Sequence, residues 1–526
     1  MEAVTPSSHF IRSRSALGAD TLRTGGVFAL SLICGAIGAF VAFVAFDRPA
    51  TGIDDADIFF VYAKHLAEGH GFVYNVGGER VEGFSSLLWT LILAPAFWVT
   101  SRPELLLVVV NLLMISAALT ALVLFVDRHL APRLRPSDAK SSALLLSFPS
   151  LAVIVWTFAA PGYISWTALT LMETGLWSAL LIAATVLTLT LCLRPNPSYI
   201  RGAVLSVIIA LLVLTRPEAI LWGLVFAGFY FLTVLRQTGN IRTALKHLLL
   251  PLSIYGATIG GLTLFRLAYF GYPLPNTYYA KVSPDLLYNL VGGTKYLFNF
   301  VSSNGFVLVG VLAALGGVLR FANNVRRKRT GALVRGSGFD LAYLHVSVVI
   351  LVGAVIPVLV GGDHFDEHRF YQPLWLLLPI AALFGLAYVY EPLGLEHPVA
   401  ALRPFRYLLL APLFLLFSWS NEQKWHELEE GGLIGQFGVA ESGRAKGEHL
   451  NAFFASLPAP EVGVIAAGGV KLTYAGPIND LLGLNNVAMA HGGGDRRGYT
   501  GHVGFEQEVL YAHYPRSCCP TRPAET

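Results

Sequence analysis

The sequence is poor in charged residues. Only 13% of its 526 residues are Asp, Glu, Lys or Arg, whereas 54% are hydrophobic, and a soluble protein carries about a quarter charged residues. This deficit excludes an ordinary soluble chain and predicts a polytopic α-helical membrane protein. The formal net charge of +4 gives no support for a nucleic-acid partner, because the basic residues are spread over short loops and form no continuous stripe.

Cysteine is also scarce, with four residues in the whole chain. Cys34 and Cys192 lie in apolar runs, while Cys518 and Cys519 are adjacent and therefore badly placed to bridge each other. The sequence predicts no disulfide framework. It also lacks a glycine-rich nucleotide loop, because neither GGDH nor GGGD has the P-loop spacing.

Long apolar runs, by contrast, are abundant. A helix of about 20 apolar residues crosses the hydrocarbon core of a bilayer, and the chain has about eleven runs of this kind or somewhat shorter. Arg12, Arg14 and Arg23 precede the first run, so the positive-inside rule predicts a cytoplasmic N-terminus and, after an odd number of crossings, an outer C-terminus. The predicted spans are 25–46, 105–126, 141–159, 174–193, 203–214, 219–235, 248–269, 305–319, 341–360, 371–390 and 407–417.

The loops between these runs are of two kinds. Basic loops predict the cytoplasmic side, and loops rich in Asp, Glu, Asn, Tyr, Gly and Pro predict the outer side. The segment 84–99 is short and is interrupted by Pro95, so we interpret it as a re-entrant or interfacial element. The predicted outer loops are 51–84, 160–173, 215–218, 270–304 and 361–370, and the cytoplasmic ones are 128–140, 194–201, 236–247, 320–335 and 391–406.

Three parts of the chain follow from this pattern. Residues 1–24 are a cytoplasmic N-terminus, and 25–419 are a transmembrane catalytic domain whose first outer loop is 47–84. From 420 to 526 charged residues become common, and VGVIAAGGV followed by KLTYAGPIND is typical of short strands and Gly-rich turns. We therefore predict a small extracytoplasmic α/β domain at the C-terminus.

The first outer loop concentrates acidic residues. Asp54 and Asp55 open a predicted interfacial helix in which Tyr62 and His65 recur at helical spacing with apolar residues. A carboxylate there could remove a proton from a hydroxyl or position a cation against a phosphate. Alternatively, one Asp simply caps the helix. Two consecutive acids with a third at Asp57 exceed what a cap requires, and both interpretations stay open.

A second polar cluster is GGDHFDEHRF, which contains Asp363, His364 and Arg369. A metal site is one interpretation, although no zinc-type spacing is present, so a divalent cation is an alternative and no cofactor is firmly predicted. Arg369 as a clamp for a phosphate is favoured, because a guanidinium matches phosphate geometry.

A third cluster, YFGYPLPNTYYAKV, offers Asn276, Tyr279 and Lys281 for a sugar and a phosphate. The alternative is an ordinary Pro-rich loop with interfacial tyrosines. Glu173 and the turn from Arg216 to Glu218 are compatible with functional groups or with buried ion pairs and helix caps.

Several of these motifs together resemble a known family. They are DDADIFFVYAKHLAEGHGFVYNVGGERVEGFSSLLW, LMETGLW, LTRPEA, GYPLPNTYYAK, GGDHFDEHRFYQP and AAGGVKLTYAGPINDLLGLNNVAMA. In this order they resemble the GT-C superfamily of polyprenyl-phosphate-sugar glycosyltransferases, within it the bacterial terminal β-(1→2)-arabinofuranosyltransferase group. The resemblance implies an active site on the periplasmic side of the bacterial inner membrane and a lipid-phosphate donor.

Roles for individual residues follow from that resemblance. Asp54 and Asp55 match the acidic pair of the family and are the expected catalytic residues, with Lys281, Arg369 and Arg216 expected on the donor phosphate. The sequence departs from the family pattern in two places. Lys64 and His65 stand where Arg and Asn are expected, which concerns one phosphate contact, and the stretch after Tyr514 is altered, which concerns acceptor binding. The residues expected to bind sugar or acceptor are Tyr62, Glu82, Glu173, Asn276, Tyr279, Asp363, His364, Gln372 and His502.

The expected reaction is transfer of arabinofuranose from a polyprenyl phosphate to a hydroxyl of an extracytoplasmic glycan, lipid glycan or protein. The alternatives are a transporter or flippase of a lipid-linked sugar, and an inactive glycan-binding relative. A transporter would place ionisable residues within its spans or repeat its halves, and neither pattern is evident here.

Overall fold

The computed structural model describes residues 8–45, 51–134, 146–159, 161–303, 310, 315–319, 337–390, 432–493 and 504–513. Within these ranges the chain is helical apart from one two-stranded sheet. The helices of the N-terminal half are α1 (Ser8–Ala45), α2 (Asp54–Ala67), α3 (Leu87–Leu93), α4 (Ala96–Val99), α5 (Glu104–Phe125), α6 (Phe148–Ala159), α7 (Pro161–Ile164), α8 (Thr174–Leu193), α9 (Tyr199–Thr215), α10 (Ala219–Thr238) and α11 (Ile241–Tyr269).

Short helical turns extend two of these helices and precede a third. A π-helical and a 3-10 turn, Val126–Leu130 and Ala131–Leu134, follow α5, and the π-helical turn Ser165–Leu169 follows α7. The 3-10 turn Asp366–Tyr371 leads directly into the helix that begins at Gln372. The remaining elements are α12 (Asn276–Lys281), α13 (Leu286–Ser303), α14 (Gly338–Leu359), α15 (Gln372–Trp375), α16 (Leu378–Tyr390), α17 (Gly432–Phe453), β1 (Val462–Val464), α18 (Ala467–Thr473), β2 (Ile478–Asp480), α19 (Val487–Ala490) and α20 (Gln507–His513).

Six of the described segments are long and apolar enough to cross a membrane, so the chain is a multi-pass helical membrane protein. Two bent helix pairs, with bends of 70° and 44°, raise the number to eight if each pair is one span. The predicted span 407–417 and most of 305–319 lie outside the described residues, so the count of eleven remains a prediction. The six segments are Asp20–Val41, Glu104–Leu134, Thr174–Leu193, Ala219–Thr238, Ile241–Tyr269 and Gly338–Leu359.

Two predicted outer loops are in fact largely helical. The prediction of an irregular loop over 270–304 is wrong, because α12 and α13 occupy most of it, whereas its placement on the outer side stays a prediction. In α13, a buried stripe of Asn289, Tyr296 and Phe300 recurs at spacings of seven and four residues, which is helical periodicity hidden among polar residues. The loop 160–173 is likewise wrong, because α7 and the turn Ser165–Leu169 fold back into the core.

The core between these helices is rich in aromatic side chains. Trp156 of α6 and Trp375 of α15 stack with ring centroids 4.9 Å apart. Each indole N–H donates to the backbone oxygen of the other residue, at 2.8 and 3.0 Å, so neither polar atom is buried without a partner. The interruption predicted at Pro95 is confirmed, since α3 and α4 are two short helices that meet there.

Helix α2 begins at Asp54 as predicted, but the interfacial placement is wrong. Phe60, Tyr62 and Ala63 are each 0% exposed, so the helix is buried on several sides. The reason is that residues 432–493, which the sequence places in a separate domain, pack directly against α2 through α17 and α18. Burial on all these faces is incompatible with a helix that rests on a membrane surface by one face.

The sheet of the C-terminal part confirms the predicted strands. Strands β1 and β2 pair in parallel, with Val462 opposite Ile478 and Val464 opposite Asp480. The Gly-rich stretch between them is a helix and not a turn, because α18 supplies the crossover that a parallel pair requires. This crossover carries Gly468 and Gly469 against the start of α2.

Candidate active site

A cavity of about 430 Å³ lies beside the first turns of α2. Its walls come from α2, α8, α10, α12, α14 and the segment that leads into α15, so it is enclosed by parts of the chain that are distant in sequence. Most of the lining is apolar, with Trp177 and Trp222 on one side. Further apolar lining residues are Ile58, Phe59, Leu181, Ile220, Leu221, Ile356, Pro357 and Val360.

The polar end of this cavity is built around Asp55. Its carboxylate accepts a hydrogen bond from Lys281 Nζ at 3.0 Å, and Arg369 Nη1 lies 3.7 Å from the same oxygen. The guanidinium of Arg369 also donates from Nε to Asp363 Oδ2 at 2.7 Å. Because the Arg369 side chain is only 6% exposed and that of Asp55 16%, these charges interact with little screening by water.

The charges of this cluster control the protonation of its acids. Burial would raise the pKa of Asp55, but Lys281 and Arg369 together lower it to about 2. Burial likewise opposes ionisation of Asp363, but Arg369 and His364 hold the pKa of that carboxyl well below its usual range. Both carboxyls are therefore ionised at neutral pH.

A second charged group lines the cavity beside the first. Arg216 forms hydrogen-bonded ion pairs with Glu173 and with Glu218, and both acids contribute to the raised pKa of Arg216 in spite of burial, which lowers it. Arg216 lines the cavity with both of these carboxylates, and its predicted role on a donor phosphate stays a prediction. Glu173 is 1% exposed, and its Oε2 atom has no hydrogen-bond partner among the described residues.

Only some residues of the NTYYAK motif, which forms helix α12, line the cavity. At a helical spacing of one and four residues, Thr277, Tyr278 and Lys281 line the cavity. Asn276 and Tyr279 lie elsewhere: Asn276 Nδ2 donates to the backbone oxygens of residues 483 and 484, at 2.8 and 3.0 Å. A helix prediction for this motif would have separated the face that lines the cavity from the face that carries Asn276 and Tyr279.

Tyr279 belongs to an aromatic cluster with the C-terminal part of the chain. Its ring centroid lies 4.2 Å from that of His491, which also stacks against Tyr272 at 4.3 Å. Tyr279 is not among the described residues that line the cavity. Its predicted contact with sugar or acceptor would therefore require a ligand outside that cavity.

The two acids that flank Asp55 face away from the cavity. Asp54 accepts hydrogen bonds from the backbone N–H groups of Gly468 and Gly469, at 3.0 and 2.8 Å. Asp57 is 0% exposed and forms a two-point ion pair with Arg444. The predicted catalytic pair is thus divided: Asp55 faces the cavity, whereas Asp54 joins α2 to α18.

Three predicted ligand-binding residues are engaged in the framework. Glu82 forms a buried pair with Arg266, with Nε–Oε2 and Nη2–Oε1 distances of 2.8 and 2.9 Å. The Tyr62 hydroxyl donates to Val81 O at 2.8 Å, and Gln372 Nε2 donates to the backbone oxygen of residue 367. None of the three side chains lines the cavity within the described part of the chain.

His364 lies next to the cavity without lining it, with Nδ1 3.3 Å from Asp363 Oδ1. His502 and the altered end after Tyr514 lie outside the described residues. The signals that sequence reasoning missed are long-range: Arg266 is 184 residues from Glu82 and Arg444 is 387 residues from Asp57. No local sequence pattern links partners that are this far apart.

The described residues do not fit a metal ion. No group of three or more His, Cys, Asp and Glu side chains converges within the described ranges. The carboxylate of Asp55 is also engaged by Lys281 and Arg369, which are cations that a metal would have to displace. No step of the chemistry below is therefore assigned to a metal.

No family model and no curated protein matches the chain. Among solved structures, the Archaeoglobus fulgidus oligosaccharyltransferase in complex with Zn and sulfate is 10% identical, with 86% of this chain and 62% of that chain covered and a TM-score of 0.47. The archaeal oligosaccharyltransferase AglB from Archaeoglobus fulgidus, in complex with an inhibitory peptide and a dolichol-phosphate, is 11% identical, with 84% and 63% covered and a TM-score of 0.44. The chain spans less than two thirds of the length of either structure.

Proposed function

We propose that the chain is a GT-C-type membrane glycosyltransferase that moves a sugar from a polyprenyl phosphate to a hydroxyl of an extracytoplasmic glycan, lipid glycan or protein. The observation that carries this proposal is one carboxylate, Asp55, held between Lys281 and Arg369 at the polar end of an otherwise apolar cavity. The sequence resemblance makes arabinofuranose the proposed sugar and the outer side of the bacterial plasma membrane the proposed location.

The cavity has the two parts that such a donor requires. Apolar side chains of α8, α10 and α14, which are membrane-spanning by length and composition, supply a surface for the isoprenoid chain. Lys281 and Arg369 supply two cations for the phosphate at the end of that surface. A guanidinium and an ammonium are the usual protein partners of phosphate oxygens.

The proposed reaction is a direct displacement at the anomeric carbon. Asp55 accepts the proton of the acceptor hydroxyl, and the hydroxyl oxygen forms a bond to the anomeric carbon. The bond from that carbon to the phosphate oxygen breaks, and its electron pair leaves with the polyprenyl phosphate. Lys281 and Arg369 stabilise the charge that develops on this leaving group, which lowers the barrier in a site with little water.

Donor binding would also change the basicity of Asp55. A carboxylate with a pKa of about 2 is a weak base. When the donor phosphate takes hydrogen bonds from Lys281 and Arg369, these cations are shared between the phosphate and Asp55. The pKa of Asp55 then rises, so Asp55 becomes an effective base only when the donor is present.

Glu173 is the proposed contact for the sugar. Its Oε2 atom is buried and has no partner within the described residues, whereas its Oε1 atom is held by Arg216. A buried acceptor of this kind is costly unless a ligand donates to it. A sugar hydroxyl would supply that donor, and Arg216 would hold the carboxylate in position.

The test uses the purified protein in nanodiscs with a radiolabelled polyprenyl-phosphate pentose, a polyprenyl-phosphate hexose and an oligosaccharide acceptor. We expect transfer of the pentose to the acceptor, detected by chromatography and mass spectrometry, and its loss in Asp55→Asn. Absence of transfer from either donor by the folded wild type would contradict the proposal. Movement of the lipid-linked sugar across the bilayer without transfer would instead support the flippase alternative.

A further inference from the structure

A second cavity, of about 370 Å³, lies on the other side of α2. At 100° per residue in an α-helix, Lys64 points opposite to Asp55, and no residue of this cavity also lines the first one. Its walls are α2, the loop that contains Asn75, α18 and the turn after it. It therefore exists only because residues 432–493 pack on the first outer loop.

Basic side chains from both walls meet in this cavity. Lys64 and His65 come from α2, and Lys471 comes from α18. Lys471 is only 8% exposed, and its Nζ donates one hydrogen bond, to Gly476 O at 2.9 Å. An ammonium has three donors, so Nζ retains capacity for a ligand in the cavity.

Acidic partners are missing from this group within the described part of the chain. Neither Lys64 nor Lys471 has a carboxylate within ion-pair distance there. The carboxylate that acts on His65 is Glu68, which also lies 3.9 Å from His70 at the exposed end of α2. His65 Nδ1 is engaged with Val73 O at 2.8 Å, so its Nε2 edge is the one left for another group.

This excess of positive charge is unfavourable without a ligand. Burial, and then the charge of Lys64, lower the pKa of Lys471 to about 8. Burial lowers the pKa of His65 as well, and both Lys471 and Lys64 add to that effect. An anion between the basic groups would reverse these contributions, because an opposite charge favours the protonated forms.

We propose that the cavity between α2 and α18 is an anion-binding site for a phosphate group, in which Lys64 and Lys471 hold the phosphate oxygens and His65, in its protonated form, donates from Nε2. The cavity has room for a phosphate and an attached small group such as a sugar ring. The site shares no residue with the cavity around Asp55, so it does not depend on the transfer reaction proposed above.

The experiment measures binding of inorganic phosphate to the full chain in nanodiscs of uncharged phosphatidylcholine, at constant ionic strength set with chloride. The Lys281→Met variant is used as the background, because it removes a cation of the first cavity. In this background we expect Lys471→Met to weaken phosphate binding at least about tenfold, which corresponds to about 1.4 kcal/mol. Lys471→Arg keeps the charge, and we expect it to retain binding and so to show that the fold is intact.

Two further arms identify the source of the phosphate. A pentose 5-phosphate that binds more tightly than inorganic phosphate would indicate a sugar phosphate, whereas competition by phosphatidylglycerol added to the nanodiscs would indicate a lipid headgroup. Binding should also weaken as the pH rises through about 8, as Lys471 loses its proton next to Lys64 and His65. Phosphate binding that is equal in Lys471→Met and in its Lys281→Met background, or absent from both the wild type and that background, would overturn the proposal.

Discussion

The first turn of α2 presents acids to two very different surroundings. Asp55 faces a cavity and is held by two side chains, Lys281 and Arg369. Asp54 and Asp57 face the C-terminal part of the chain, where backbone amides and Arg444 hold them. Neighbouring carboxylates in one motif thus have different surroundings: one lines a cavity, and two join α2 to the C-terminal part of the chain.

The pKa values follow the same division. Burial raises the pKa of Asp54 and outweighs the opposing effect of its amide hydrogen bonds. For Asp55 the two cations outweigh burial and lower the pKa to about 2. The difference shows that a run of acids in a sequence does not identify the reactive one, because the charge of each is set by residues that arrive from elsewhere in the chain.

The largest expected effect comes from breaking the contact between α2 and the C-terminal part of the chain. In Arg444→Met the buried carboxylate of Asp57 loses its cation, and removal of one partner of a buried pair costs about 3–5 kcal/mol. Because the Arg444 side chain is 24% exposed, we expect a value near the lower end. Limited proteolysis within residues 432–493 and the thermal midpoint would measure the effect.

The matched control for this variant removes both charges. In Asp57→Leu combined with Arg444→Met both charges of the buried pair are removed, and Glu104, whose side chain is 17% exposed and lies 3.5 Å from Arg444, is the acid that loses a partner. We therefore expect most, but not all, of the lost stability to return. A double variant as unstable as the single one would show that the ion pair is not what joins α2 to the C-terminal part.

The second largest effect is expected at the cavity, from a change of Arg369. Arg369 contacts both Asp55 and Asp363, so Arg369→Gln removes the cation that these acids share. If the guanidinium also stabilises the leaving phosphate, the rate of transfer should fall by about 10²–10³-fold. The transfer rate of Arg369→Lys should lie between those of the wild type and Arg369→Gln, because lysine keeps the positive charge but lacks the forked geometry of the guanidinium. Equal rates in all three proteins would contradict the role of Arg369.

The smallest effect is a change in pH dependence. With a pKa of about 2, Asp55 is ionised throughout the neutral range in the empty site, and this form is lost only as the pH falls toward that value. In Lys281→Met one lowering charge is gone while burial remains, so the pKa of Asp55 rises. We expect kcat/KM to fall on the acid side at a pH about one to two units higher than in the wild type. An unchanged acid limb would show that Lys281 does not control Asp55.

Much of the fold was predictable because its signals are local. Apolar runs identified the membrane segments, Pro95 marked the break between α3 and α4, and the strands β1 and β2 were visible as short apolar stretches. The helix α13 was missed because its buried stripe includes Asn289, a residue that is typical of loops. The interfacial assignment of α2 failed because local amphipathicity does not show what covers the other faces.

The sequence motifs predicted several residues of the site but not which residues pair with each other. Asp55, Lys281 and Arg369 were all named from sequence motifs, and the structure brings them together. Glu82 was named from a motif as well, but it pairs with Arg266, and no local pattern links residues 184 positions apart. Pairings of this kind depend on tertiary packing, which motifs do not encode.

The central claim is that Asp55 is the reactive acid and Asp54 a structural one. It is tested most directly by single-turnover transfer from the polyprenyl-phosphate pentose, with Asp54→Asn and Asp55→Asn compared at equal amounts of folded protein. We expect Asp55→Asn to slow transfer by about 10²–10⁴-fold. Asp54→Asn should stay within about tenfold of the wild type. A reversed order, or equal losses in both variants, would contradict the claim.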